Sequence, residues 1–230
     1  MDYPFKYETH AHCHPASACA KTTPEEVVEH YAQAGYSGLF LTDHFNGNTD
    51  IDRNLPWAER IRQFVDCFHR AKRKGDEIGF QVFFGYEFTN LGADFLILNA
   101  SEKFLYDHPD MNEWELTDFF DRAHADGAFI VHAHPCRESA WILDPARRYP
   151  DHVDAVEVFN TGMPPEINSR AEVYARECDL PRFSGSDYHF THRPSNAGIA
   201  FREKPATAEE LIRLVKAGEY RLLGLDDMTT

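Results

Sequence analysis

An α/β architecture on a parallel sheet, open or closed into a barrel, is what this sequence predicts, and three observations predict it. Short apolar, β-favouring runs recur along the chain, helical patterns separate them, and the strand-then-helix order repeats from one end to the other. With 230 residues, one large domain can bury roughly 70–75% of its unfolded surface. No fixed-period repeat, low-complexity tract or linker interrupts it, so the expectation is a single α/β domain of six to eight units.

The strands come first. "FKYETHAH" (5–12), "SGLFLTDH" (37–44), "FQVFFGYEF" (80–88), "DFLILN" (94–99), "FIVHAH" (129–134), "DAVEVFN" (154–160) and "RFSGSD" (182–187) combine apolar content with β-preferring side chains. Between the first two, Thr23-Pro24-Glu25-Glu26 supplies an N-cap, a first-turn proline and a capping-box glutamate, and Gly35 ends the helix. From Trp57 to Lys74, the residues Trp57, Ile61, Phe64, Phe68 and Ala71 share one face, and Gly75 reads as the stop. Further helices are expected near 116–125 and 165–177, and a last one follows the capping box at Thr207 and runs to Gly218.

Composition removes several function classes. The 38 acidic residues against 23 basic ones give a formal charge of -15, which opposes phosphate backbones and anionic membranes. Nucleic acid is an unfavourable partner. No stretch of 18 apolar residues occurs and the N-terminus lacks a signal-peptide pattern, so the expectation is a soluble cytoplasmic chain without membrane partners. Five cysteines without a Cys-x-x-Cys pair point to reduced thiols.

Histidine is the unusual residue, with 13 in the chain. Nearly every strand candidate ends in a group that binds metals: His10 and His12, Asp43 and His44, Glu87, His132 and His134, Asp187 and His189. In a parallel barrel the carboxyl ends of all strands meet at one face, so these residues become neighbours. Residues i and i+2 of a strand point to one side, which lets two imidazoles lean onto one ion. Mixed nitrogen and oxygen ligands suit zinc, iron or manganese. Each motif alone has a plainer reading: Thr42-Asp43-His44 as a turn, Ser184-Gly185-Ser186-Asp187 as a turn with a helix cap. Glu87, after so apolar a run, needs a partner or a route to water.

In order, "ETHAHCH", "LTDHF", "GYEF", "HAHPCR" and "SGSDYH" resemble the motifs of the polymerase and histidinol phosphatase family, the PHP domain, over residues 8–189. The resemblance implies a distorted, TIM-like (β/α)7 barrel spanning 1–230 as a single metallohydrolase domain, with two or three divalent cations. His10, His12, Glu87 and Asp187 match the ligands of the first ion, with Glu87 bridging to a second held by His134; His44 and His189 match ligands of the third. Two departures stand out. Where relatives carry a third-site His or Asp, this chain reads Pro15-Ala16-Ser17-Ala18-Cys19, leaving Cys19, His14 or solvent to complete the site. For a further second-site histidine the one match is His108. His132 reads as a residue that orients a ligand, and Asp43 as a ligand or a support for one. Arg137 and Arg193 are candidate phosphate clamps, or surface ion pairs.

The implied reaction is hydrolysis of a small phosphomonoester by a hydroxide bridging two cations about 3.5–4 Å apart. Arg137 stabilises the charge, and His44, His189 or water protonates the leaving group. An amidohydrolase-like C–N bond hydrolase is the enzymatic rival, and a metal-binding module without turnover the non-enzymatic one. Substrate, pathway and oligomeric state are not legible from the residues.

Overall fold

β1 (Phe5–Ala11) opens the chain and is followed by α1 (Pro24–Gln33), whose N-cap Thr23 and Glu26 form the predicted reciprocal capping box. Next come β2 (Gly38–Leu41), the two-residue β3 (His44–Phe45) and α2 (Trp57–Ile78). A hairpin, β4 (Gln81–Asn90) and β5 (Ala93–Leu98), leads through α3 (Glu102–Asp107) and a 3₁₀ turn (Met111–Glu113) to α4 (Leu116–Ala125). The rest is β6 (Phe129–Ala133), β7 (Ala155–Asn160), α5 (Pro165–Glu177), β8 (Arg182–Gly185), β9 (Gly198–Phe201), α6 (Ala208–Lys216) and β10 (Arg221–Leu223). This computed structural model describes residues 2–45, 47–140, 142, 147–191 and 196–225. Among them no helix is long and apolar enough to cross a membrane.

The strands form one sheet in the order β10-β9-β1-β2-β4-β5-β6-β7-β8, with β3 beside β4. The segment after β8 then reaches β1: Tyr188 N donates to His10 O at 3.1 Å and His12 N to Tyr188 O at 2.9 Å. The sheet is thereby curled into a nearly closed barrel, the class the sequence predicts. It is not wholly parallel, however. β5 runs antiparallel to both β4 and β6, where a parallel sheet is expected, because Leu91 (φ 51°) and Gly92 (φ 87°) close a two-residue turn between β4 and β5. β9 is antiparallel to β1 and to β10, and neither β9 nor β10 was foreseen.

α2 also corrects an expectation. It continues past Gly75 to Ile78, and Gly79 in the left-handed conformation ends it. Gly75 serves packing instead: a Cβ there would lie 2.5 Å from Phe80 O and 2.9 Å from Val82 Cγ2. Two apolar clusters support the barrel. One joins Val27, Val28 and Tyr31 of α1 to Ile61, Phe64 and Val65 of α2 and Phe119 and Phe120 of α4. The other joins Tyr174 of α5 and Leu211, Leu214 and Val215 of α6 to Val131, Val156 and Phe183 of the sheet. Packing from both sides holds the strand ends in fixed positions, on which a multi-strand site depends.

Candidate metal centre

His10, His12, Glu87, His134 and Asp187 converge, with His44 and His189 beside them. His10 Nε2 lies 3.4 Å from Glu87 Oε1 and 3.6 Å from Asp187 Oδ1, and His12 Nε2 lies 3.4 Å from the same Asp187 oxygen. His134 Nε2 is 3.3 Å from Glu87 Oε1, while His44 Nδ1 is 2.5 Å from Glu87 Oε2. Three sets, His10–His12–Asp187, His10–Glu87–His134 and His12–His44–His189, each bring their ligand atoms within 4.8 Å of one another. Glu87 is the centre because β3 and β5 flank β4 on its two sides, with His44 directly opposite Glu87 in the ladder.

Backbone strain aims two of these groups. His134 and Asp187 follow β6 and β8 at φ 27° and 52°, a region costly for residues other than glycine. Such conformations cost of order 1–3 kcal/mol each and persist where surroundings enforce them. Here each turns a side chain inward at a strand end.

Five buried ligand atoms in the cluster make no hydrogen bond: His10 Nε2, His12 Nε2, His134 Nε2 and both carboxylate oxygens of Glu87. Each unsatisfied buried polar atom costs about 1–3 kcal/mol. Clustered in two adjoining sets that share His10, they are the signature of a cation site, and the imidazole and carboxylate donors suit zinc, manganese or iron.

The opposite nitrogens of His10 and His12 are committed. His10 Nδ1 is 2.9 Å from Glu157 Oε1, and because a carboxylate only accepts, Nδ1 carries a proton and Nε2 is the nitrogen left for a cation. Ser17 Oγ donates to Asp43 Oδ1 at 2.7 Å, so it accepts from His12 Nδ1 at 3.1 Å and from His44 N at 2.9 Å. Asp43 is therefore a support acting through Ser17, and it also receives Cys13 N. Glu157 Oε2 accepts from His134 N, and Glu8 Oε1 accepts from Thr9, His10 and Ser186 backbone N–H groups, tying β1 to the end of β8. Partners of this kind fix tautomer and ring orientation.

Burial disfavours every charge in the cluster, and the neighbours decide the outcome. Burial opposes the His10 imidazolium, yet Glu157 and Asp187 hold it well above the ordinary range. His12 goes well below, through burial and then through His44 and His189. Burial raises Glu87 and Asp187, but the imidazoles around them, His44 first for Glu87 and His10 first for Asp187, keep both carboxyls well below the usual range. At His44 burial is outweighed by Glu87, which pushes the ring up to about 11. Burial pushes the Cys19 thiol up, but hydrogen bonds with His189 and His44 outweigh it and bring the thiol to about 6.

Other predicted residues stand elsewhere. His132 does not orient a ligand: its ring stacks on Phe95 at 4.8 Å and packs edge-on to Tyr174, and its Nδ1 has no hydrogen-bond partner. The i, i+2 rule fails because β6 ends at Ala133 and His134 leaves the extended conformation. His108 caps α3 and packs between Phe104 and Trp114, away from the cluster. His14 is exposed and pairs with Asp50 at 3.0 Å. Arg137 sits beside His134, with its guanidinium on Asp94 and its Nε buried and without a partner. Arg193 lies outside the described residues. The sequence reading missed Glu157, Asp94, Ser17 and Glu8. Glu157 carried a usable signal, since "DAVEVFN" places an acid within an apolar strand, as "GYEF" does.

Neither a family model nor a curated protein matches the sequence. Solved structures do match. A two-domain protein from Bacteroides vulgatus containing a predicted PHP-like metal-dependent phosphoesterase superposes with a TM-score of 0.72 at 17% identity over 95% of this chain. The chain spans 64% of that longer protein. An amidohydrolase from Chromobacterium violaceum, with bound sulfate, gives 0.57 at 15% identity over 94% of this chain and 98% of its own. A candidate metal-dependent phosphoesterase from Bifidobacterium adolescentis gives 0.53 at 16% identity over 83% and 90%. At these identities the likeness is one of fold: the chain has the fold of PHP-like barrels, as its motifs imply.

Proposed function

We propose that this protein is a metal-dependent phosphoesterase acting on a small phosphomonoester. The carrying observation is the convergence of buried ligand atoms that make no hydrogen bond, from β1, β4 and the end of β6, into two adjoining sets that share His10. His10, His12, Glu87 and Asp187 would hold one cation, and Glu87 and His134 a second. Bound divalent cations supply Lewis acidity, acidifying water and withdrawing charge from phosphoryl oxygens.

The chain's own groups do the rest. Glu157 and Ser17 keep a proton on Nδ1 of His10 and of His12, so that Nε2 of each ring is the nitrogen turned to the cation site. Arg137, anchored on Asp94, offers its remaining N–H groups to a phosphoryl oxygen. His44 and His189 crowd against His12, with ring centroids 4.3 Å from it in each case, which favours a ligand role over the proton-donor role. The leaving alkoxide then takes its proton from solvent at the mouth. The net charge of -15 favours a small substrate over a polyanion.

The test is metal analysis of the purified protein with turnover of an aryl phosphate, repeated on Glu87→Ala. Bound divalent metal with phosphatase activity, both lost in the variant, is the expected result. A variant retaining both contradicts the assignment of Glu87. Amide hydrolysis without phosphoester turnover favours a C–N bond hydrolase, a reading that the likeness to the Chromobacterium amidohydrolase fold keeps in play. Metal without any turnover favours a binding module.

A further inference from the structure

We propose that Arg60 recognises a carboxylate on the alcohol part of the substrate, an inference that rests on the phosphoesterase reading above. Arg60 stands in the first turn of α2, where the helix dipole favours an acid over a base. Its guanidinium lies over the Trp57 ring, 5.2 Å from the centroid, and Trp57 Nε1 is itself anchored on Leu105 O at 2.7 Å. Among the described residues it pairs with no carboxylate, although the chain carries a charge of -15. The acids nearest in sequence are taken: Glu59 by Arg62 at 2.6 Å and Gln63 at 3.0 Å, Asp50 by His14 at 3.0 Å, and Asp52 by Asn54 at 2.9 Å. A guanidinium held in place with its N–H groups unspent, at a helix end that itself attracts anions, is prepared for an anion from outside the chain.

The recess that Arg60 lines adjoins the metal centre. His44, Phe45, Thr49, Ile61 and Phe64 line it as well, and no acidic side chain does among the described residues. His44 Nδ1 lies 2.5 Å from Glu87 Oε2, so the recess and the centre share a wall. Phe45 packs edge-on to Trp57 and Phe64, which fixes the opposite wall. The volume is about 20 Å³, less than twice the roughly 10–15 Å³ that one water needs. It admits the edge of a planar carboxylate and not a tetrahedral phosphoryl group.

Arg137 stands too far away to share this anion. It sits on Asp94 of β5 beside His134, which faces Glu87 Oε1, whereas Arg60 lies beyond His44, which faces Oε2. The order β3-β4-β5-β6 puts two to three strand spacings, about 10–14 Å along the sheet, between the two positions. One guanidinium then meets the phosphoryl group and the other a carboxylate at the far end of the same molecule.

The test compares KM for phenyl phosphate with KM for meta- and para-carboxyphenyl phosphate on the metal-loaded full chain. One carboxyphenyl ester is expected to show a KM about tenfold lower than phenyl phosphate, the low end for a hydrogen bond to a charged group. Arg60→Gln should bring the two values together, and Arg60→Lys should restore part of the difference, because the charge returns without the fork. Each variant is read against its own phenyl phosphate value, so a purely structural role at Trp57 moves both esters alike and leaves the ratio unchanged. A ratio near one in the wild type, or a ratio that survives Arg60→Gln, overturns the proposal while leaving phosphoester hydrolysis intact. A phenylene bisphosphate with a lower KM than either carboxyphenyl ester overturns the choice of a carboxylate. A wild type that turns over no phosphoester overturns both readings.

Discussion

Replacing Glu157 with glutamine tests whether a residue that touches no cation sets the ligand state of one that does. Glu157 is buried and uses both oxygens: Oε1 is 2.9 Å from His10 Nδ1, and Oε2 accepts from His134 N and Asn160 Nδ2, each at 2.9 Å. Glutamine has one acceptor oxygen and one amino group. If the amide oxygen stays on His10, the amino group meets two N–H donors and leaves both unsatisfied, at about 1–3 kcal/mol each. If the amide flips, the amino group donates to His10 Nδ1, the ring proton moves to Nε2, and that nitrogen can no longer ligate. The flip avoids two orphaned donors and is the favoured outcome. Changes at such supporting residues typically cost 10–100-fold in metal affinity, or about 1.4–2.7 kcal/mol. Because the tautomer of a ligand reverses, the upper end is expected. Competition against a chelator gives the affinity, and nitrogen chemical shifts of the His10 ring give the tautomer. A Glu157→Gln protein with wild-type affinity and an unchanged ring tautomer would refute the reasoning.

Three other outcomes are expected. Gly185→Ala builds a Cβ 2.5 Å from Glu157 Oε1 and 2.6 Å from His10 Cβ, so it should lower stability by about 1–3 kcal/mol and weaken metal binding with it; thermal unfolding at wild-type temperature counts against this packing. Arg137→Lys keeps the charge and the pairing with Asp94 but loses the guanidinium fork. KM for an aryl phosphate should rise about tenfold with kcat little changed, and steady-state kinetics showing the reverse split would argue against phosphate contact. Metal loading should release protons and weaken as pH falls, since His44, pushed up to about 11 by Glu87 against the effect of burial, is protonated at neutral pH and must lose that proton to ligate. An indicator dye in weak buffer reads the release, and loading without it would contradict the assignment of His44.

The order of motifs was legible because strand ends that meet at one barrel rim must each carry a ligand, and that requirement writes acidic and imidazole residues after apolar runs. Helix caps were legible for the same local reason, as at Thr23 and Glu26. What escaped depended on contacts between distant segments. The sequence by itself determined the α/β class, the capped helices and the identity of the residues at the rim, since propensity and periodicity act within a few neighbours. Only the tertiary structure decided that β5 turns back as a hairpin strand, that His134 faces Glu87 while His132 lies among aromatic rings, and that Glu157 and Ser17 engage Nδ1 of His10 and His12 and leave Nε2 for a cation. These follow from a backbone that leaves the extended conformation at His134 and from hydrogen bonds between residues up to 147 positions apart, which no local pattern encodes.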